Sequence, residues 1–204
     1  MNKTLLIATQ NAHKLEEFSQ LLPGVELNSL ERFASFVMPE ETGETFLDNS
    51  IIKSSAVHCA TNMISMADDS GLAVDALQGA PGVRSARYAS GSDRDRYLAL
   101  LRALDGVQER TARFVACLSI VGLPDTLKLP AGTFRNAGVV YAFGEIHGTI
   151  AHAPRGENGF GYDPVFELPD GRTMAEISAA EKQKRSHRAI ATRKIRPLLV
   201  DYFS

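Results

Sequence analysis

The chain has no tryptophan, only two cysteines in 204 residues, and no apolar run approaching the length of a membrane span. Cys59 and Cys117 stand far apart, each in an apolar segment. That spacing argues against a disulfide framework or a zinc site and predicts two buried thiols in a reducing compartment. A charge of one sign is missing as well. The 22 basic and 24 acidic residues interleave to a net charge of −2, so no overall field is available to attract nucleic acid or an anionic membrane. Near the start, the apolar stretch runs only from Leu5 to Ala8, too short for a signal-peptide core. The expectation is a cytoplasmic protein, one domain over residues 1–204, with a core that can divide into two lobes.

The pattern along the chain alternates strands and helices. "KTLLIAT" predicts a buried strand running straight into the helix of "HKLEEFSQLL", where Leu15, Phe18, Leu21 and Leu22 recur at helical spacing. Between them, "TQNAHK" offers Thr9 or Asn11 as a helix cap and gathers free backbone N–H groups. A second helix is predicted from near Thr45, with Asp48 completing a capping box, to about Met63. On it, polar Asn49 and Lys53 share a stripe with apolar Phe46 and Ala56 or Val57, so that face is not a plain core face.

"GLAVDAL" reads as a strand and "GAPGVRSARYASG" as a long irregular loop. Ser92 with Asp95 opens a helix that Gly106 ends. "ARFVACLSIVGL" and "AGVVYAFGEIHGTIA" suggest an antiparallel pair. Ser178 and Glu181 form a further capping box for a helix carrying "EKQKRSHR", and Pro197 should kink the last helix or mark its start. This order predicts an α/β fold, a mixed central sheet flanked by helices.

The chemistry concentrates in a few places. In "ADDSG", Asp68 and Asp69 sit side by side between apolar runs, and a carboxylate entering a core needs a cation, donors or water beside it. A hard divalent ion held at the C-terminal edge of a strand would satisfy both, and a turn capped by either aspartate would do so equally well. Glu40 and Glu41 form a second acidic pair, ahead of a helix, where acids are common for electrostatic reasons alone. Lys14, Lys53, Lys182, His187 and Arg188 are separately ordinary surface bases and together a set suited to an anion. Acids for a metal and lysines for phosphate oxygens are what phosphoryl chemistry requires, although the Walker A pattern is missing. "GFGYDPVF" is either a tight turn with an aromatic in the core, or a place where glycines admit a flat ligand against a ring.

Taken in order, "TQNAHK", "EETGETFLDNSIIKSSA", "ADDSGLAVDAL", "GAPGVRSARYA", "GFGYDPVF" and "EKQKRSHR" resemble the inosine/xanthosine triphosphate pyrophosphatases along nearly the whole chain. The resemblance implies two lobes around a nucleotide cleft. It implies that Thr9, Asn11 and Lys14 form a triphosphate-binding loop and that Lys53 reaches the phosphates. Glu40 and Asp69 would hold Mg²⁺, with Asp68 in support, Asp69 would be the general base, and Ser70 would touch substrate. Phe160, Gly161, Tyr162 and Asp163 would line the nucleoside pocket, with Lys182, His187 and Arg188 reading the base. Ser50 departs from the family's usual alanine.

The implied reaction is attack of water on the α-phosphorus of a deaminated purine nucleoside triphosphate (ITP, dITP or XTP), releasing pyrophosphate. Lys182 and Arg188 offer only donors, so a 6-oxo purine can accept from them and a 6-amino group cannot. The substrate is thus a small molecule, with no nucleic acid or membrane partner, and the family suggests a homodimer. A non-catalytic nucleotide sensor and a pyrophosphatase for another nucleotide remain the alternatives, which a triphosphate panel separates.

Overall fold

The computed structural model describes residues 4–33 and 35–203. Strand β1 (Leu5–Ile7) is buried at every position and leads into helix α1 (Ala12–Leu21). Asn11 caps α1, its side chain accepting the His13 and Lys14 N–H groups, and Thr9 Oγ1 in turn accepts the Asn11 N–H. After the short β2 (Leu27–Asn28) comes α2 (Phe46–Thr61), which begins at the predicted Thr45–Asp48 capping box. Strand β3 covers Ser65–Val74, α3 covers Asp93–Ala103, and β4 covers Thr111–Val121. Then follow β5 (Thr133–Asn136), β6 (Val139–Ile150), β7 (Phe166–Glu167), α4 (Ala179–Arg185) and α5 (His187–Phe203).

The strands make one mixed sheet in the order β2-β1-β3-β4-β6-β5, with β7 also pairing with β6. β1 runs parallel to both β2 and β3, whereas β5 and β7 run antiparallel to β6. The α/β expectation therefore holds. β4 and β6 are neighbours as expected, and the connection between them adds β5, which was expected only as a turn.

Several local expectations need correction. "ADDSG" is neither a turn nor a strand end but the middle of β3, which is buried at nine of its ten positions. Apolar Met66, Ala67, Leu72, Ala73 and Val74 keep the strand inside on both sides of the aspartates. The "EKQKRSHR" helix is two helices: Ser186 is extended (φ −62°, ψ 154°), the geometry of a residue preceding a new helix, and α5 starts at His187. Ser178 accepts the Glu181 N–H, but the Glu181 carboxylate turns to Arg172 and Arg185, so the box closes on one side only. α5 also continues through Pro197. Cys59 is exposed, against expectation, while Cys117 is buried.

The chain folds as two compact units, each with its own apolar core. The first contains residues 1–69, 116–144 and 188–204, and the second residues 70–115 and 145–187. In the first, Phe18 of α1 and Ile195, Leu198 and Leu199 of α5 join Leu5, Ile7 and Leu118 in one cluster. In the second, Leu72, Leu100, Leu104, Phe114, Tyr162 and Phe166 do the same. Burying each such large side chain contributes about 1.5–3 kcal/mol.

Candidate active site

In the first unit, β3 delivers Asp68 and Asp69 with 2% and 6% exposure, a placement that only close cations can sustain. Asp68 Oδ2 meets Lys14 Nζ at 2.7 Å and Arg188 Nη2 at 2.8 Å. Lys14 is on the first turn of α1 and Arg188 on the first turn of α5. The guanidinium also pairs with Glu17, three residues beyond Lys14 and so on the same helical face. Asp69 Oδ1 meets Lys53 Nζ at 2.9 Å, and the same ammonium reaches Glu41 Oε1 at 2.7 Å and the Asp68 carbonyl at 2.9 Å.

The two neighbouring aspartates are tuned in opposite directions. Burial alone would raise Asp68, but Arg188 and Lys14 outweigh it and hold that carboxyl well below the usual range. For Asp69, burial wins over the single ammonium of Lys53, and the nearby Glu41 charge adds to the rise. Burial lowers Lys14, opposed by the pull of Asp68 and aided by repulsion from Arg188 and Lys53. Lys53 is raised, because two carboxylates surround it and overcome its own burial. Neighbours in the chain, the two carboxyls thus sit in opposite electrostatic settings.

In the second unit, Asp163 is buried, and its Oδ2 accepts the Phe160 N–H at 2.9 Å and pairs with Lys182 Nζ at 2.7 Å. The Lys182 ammonium lies 4.5 Å from the centre of the Phe160 ring. Gly161 donates its N–H to Asp93 at the start of α3. His187 stacks on Phe114 of β4, centroids 4.9 Å apart and planes 14° from parallel. Tyr162 belongs to the core, 4% exposed, with its hydroxyl donating to the Ser85 carbonyl. Ser70 follows Asp69 in β3 and is half-buried.

The sequence-predicted residues therefore gather in two groups. Lys14, Lys53, Asp68, Asp69 and Arg188 come together in the first, with Thr9 and Asn11 at the adjoining cap, while Phe160, Asp163 and Lys182 come together in the second. Glu40 is exposed, and it is Glu41 that joins Lys53 beside Asp69. Sequence reading passed over Glu17, Asp93 and Phe114. For Glu17 the spacing from Lys14 was an available signal; for Asp93 and Phe114 none existed, since their partners are distant in the chain.

The model of the Ham1 family matches residues 5–198. A dITP/XTP pyrophosphatase of Geobacillus kaustophilus is 48% identical over 200 residues, covering 95% of this chain and 92% of its own length. The dITP/XTP pyrophosphatase of Bacillus subtilis is 41% identical over 204 residues, covering 97% of each. The structure of the Staphylococcus aureus Ham1 protein superimposes with a TM-score of 0.84 at 37% identity, covering 98% of this chain and all of that one. A HAM1 protein from Coxiella burnetii gives a TM-score of 0.84 at 35% identity, covering 97% of this chain and 98% of that one. With the match spanning nearly its whole length, the chain belongs to the Ham1 family.

Proposed function

We propose that this chain hydrolyses deaminated purine nucleoside triphosphates (ITP, dITP and XTP) to the monophosphate and pyrophosphate, residues 1–204 working as one catalytic domain. The observation that carries the reading is the Lys53 ammonium set between the Glu41 and Asp69 carboxylates, beside Lys14 and Arg188 on Asp68. Acids and cations in that density are what an anhydride of phosphates calls for. The dITP/XTP pyrophosphatase relatives support the same substrate class.

A divalent cation fits the donors. Glu41 and Asp69 approach one ammonium at 2.7 and 2.9 Å, so a hard dication can meet both carboxylates, with Glu40 next to Glu41 in the chain. Among the described residues, His, Cys, Asp and Glu form no group of three placed to hold a metal unaided. Mg²⁺ is commonly held by one or two carboxylates and completes its shell with waters and substrate phosphates. When bound, Mg²⁺ supplies Lewis-acid charge to the phosphoryl oxygens.

The chain's own residues do the rest. Asp69, pushed up by burial, takes the proton of the attacking water. Lys53 and Lys14 oppose the charge that grows on the departing pyrophosphate, and Asp68, kept ionised by Arg188, keeps Lys14 in place. Thr9 and Asn11, whose side chains cap the positive end of α1, flank the place where phosphate would lie. Ser70 touches substrate beside Asp69. Phe160, with Gly161, Tyr162 and Asp163 shaping its loop, stacks on the base, while Lys182, a donor only, favours a 6-oxo purine over a 6-amino one, with His187 beside it in the second unit; Arg188, spent on Asp68 and Glu17, is left out of base reading.

We place the enzyme in the cytoplasm as a homodimer, on the family resemblance; among the described residues no helix is long and apolar enough to cross a membrane. The test is a panel of ITP, dITP, XTP, ATP, GTP and CTP with and without Mg²⁺, products separated by chromatography. Monophosphate and pyrophosphate from the first three are expected. Release of single phosphate with diphosphate remaining overturns the assignment.

A further inference from the structure

Helix α2 places Asn49 and Lys53 one turn apart on one face, and Asn49 is fully buried. Its amide is engaged at both ends. Oδ1 accepts the Gly43 N–H at 2.8 Å, and Nδ2 donates to Asp69 Oδ2 at 3.3 Å. The Gly43 N–H can only donate, so it fixes the amide with its oxygen toward the loop and its nitrogen toward Asp69. Lys53 meanwhile binds the other Asp69 oxygen and Glu41. The contacts close a ring: Asp69 to Lys53, Lys53 to Glu41, two residues of backbone to Gly43, Gly43 to Asn49, and Asn49 back to Asp69.

We propose that Asn49 is a positioning residue that holds the Glu41 loop and the Asp69 carboxylate as one rigid constellation. The proposal rests on the roles given above to Asp69 and Glu41. A side chain here must accept from Gly43 and donate to Asp69 at once, which aspartate, leucine or alanine cannot do. Gly43 is matched to the same contact. A Cβ there would lie 2.5 Å from Asp48 Cβ and 2.7 Å from Asn49 Oδ1, so only glycine lets the loop come this close.

The experiment measures kcat and KM for ITP together with amide hydrogen exchange on the metal-free protein. For Asn49→Ala, kcat should fall roughly 10–100-fold, the usual cost of losing a residue that orients a ligating carboxylate. KM should move less than about threefold, because the Asn49 amide is spent on Gly43 and Asp69 and makes no contact with substrate in this reading. The Gly43 amide should exchange at least about tenfold faster while those of Ser54 and Val57 in α2 keep their protection. Asn49→Asp keeps the acceptor for Gly43 but turns a carboxylate toward Asp69. It should restore Gly43 protection without restoring kcat.

A kcat for Asn49→Ala near the wild-type value, or an Asn49→Asp enzyme that regains both protection and turnover, overturns the proposal. If Asn49→Ala loses protection throughout α2, Gly43→Ala decides: reduced kcat with α2 intact supports the ring, and wild-type kcat defeats it. A normally active Asp69→Asn enzyme would instead defeat the catalytic assignment, and because Gly43 exchange does not depend on turnover, the two failures are distinguishable.

Discussion

Arg188 Nη2 lies 2.8 Å from Asp68 Oδ2, and both side chains are buried, at 1% and 0% exposure. Lys14 shares that oxygen and Glu17 also pairs with the guanidinium, so Asp68 balances Lys14 and part of the Arg188 charge. Asp68→Asn removes the anion and leaves both cations behind, which should destabilise the fold by about 3–5 kcal/mol. Urea unfolding of the two proteins measures this. A loss under about 1 kcal/mol, the range of an exposed pair, would mean that water already screens the cluster.

The same carboxylate predicts a pH dependence. Its folded-state pKa is depressed, since Arg188 and Lys14 prevail over burial. Its contribution is therefore complete above the unfolded value of about 3.9 and is lost as pH falls below it. Wild-type stability should decline steeply below that point and Asp68→Asn less steeply. Parallel curves between pH 5 and 2 would count against the pairing, those limits being approximate.

The two thiols should differ in reactivity. Cys117 is fully buried, and burial pushes its pKa up to about 12, whereas Cys59 is exposed. Only the thiolate attacks an alkylating reagent. One equivalent of iodoacetamide should enter the native protein at mildly alkaline pH, at Cys59 by peptide mapping, and a second only in denaturant. Rapid labelling of Cys117 in the native state would contradict the burial.

Much of this was legible before the fold, and the rest was hidden for physical reasons. Thr45–Asp48 and Ser92–Asp95 could be found because a capping box is a matter of three-residue spacing. Cys59 was misjudged because it follows buried Val57 by two residues, which turns it to the other side of α2. β3 carries Asp68 through its middle beside Arg188, 120 residues away in the chain, and Asp69 beside Lys53. Glu40 and Glu41 lie in an irregular loop, where no period says which of two neighbours faces inward. Asn49 stood out as polar on an apolar stripe, but its partners Gly43 and Asp69 emerge only from the contacts.

Gly159 sits at φ +80°, and a Cβ there would fall 2.0 Å from Asp163 Oδ2, the atom that holds Lys182 and the Phe160 N–H. Gly159→Ala should displace that carboxylate, at a backbone cost of about 1–3 kcal/mol. Because the displaced group orders the proposed base-binding loop, KM for ITP should rise roughly tenfold or more with kcat less affected, the signature of lost binding. Steady-state kinetics with ITP checks it. An unchanged KM would remove Phe160 and Lys182 from base recognition.

Lys53→Met tests the centre of the site. Methionine keeps the length and apolar stem of the side chain and deletes the charge that separates Glu41 from Asp69. Glu41 already pushes the Asp69 carboxyl upward, and the Lys53 ammonium is the charge on α2 that opposes that push. A charged donor also disappears from the place where pyrophosphate builds negative charge, a loss of about 10²–10³ in kcat for a single preorganised donor. Lys53→Arg should not rescue, since a planar guanidinium cannot occupy the point between two carboxylates that an ammonium fills. Rapid-quench measurement of pyrophosphate release from ITP separates the chemical step from product departure. A Lys53→Met rate within tenfold of wild type, on the order of the effect of one ordinary surface charge, would place the developing charge elsewhere.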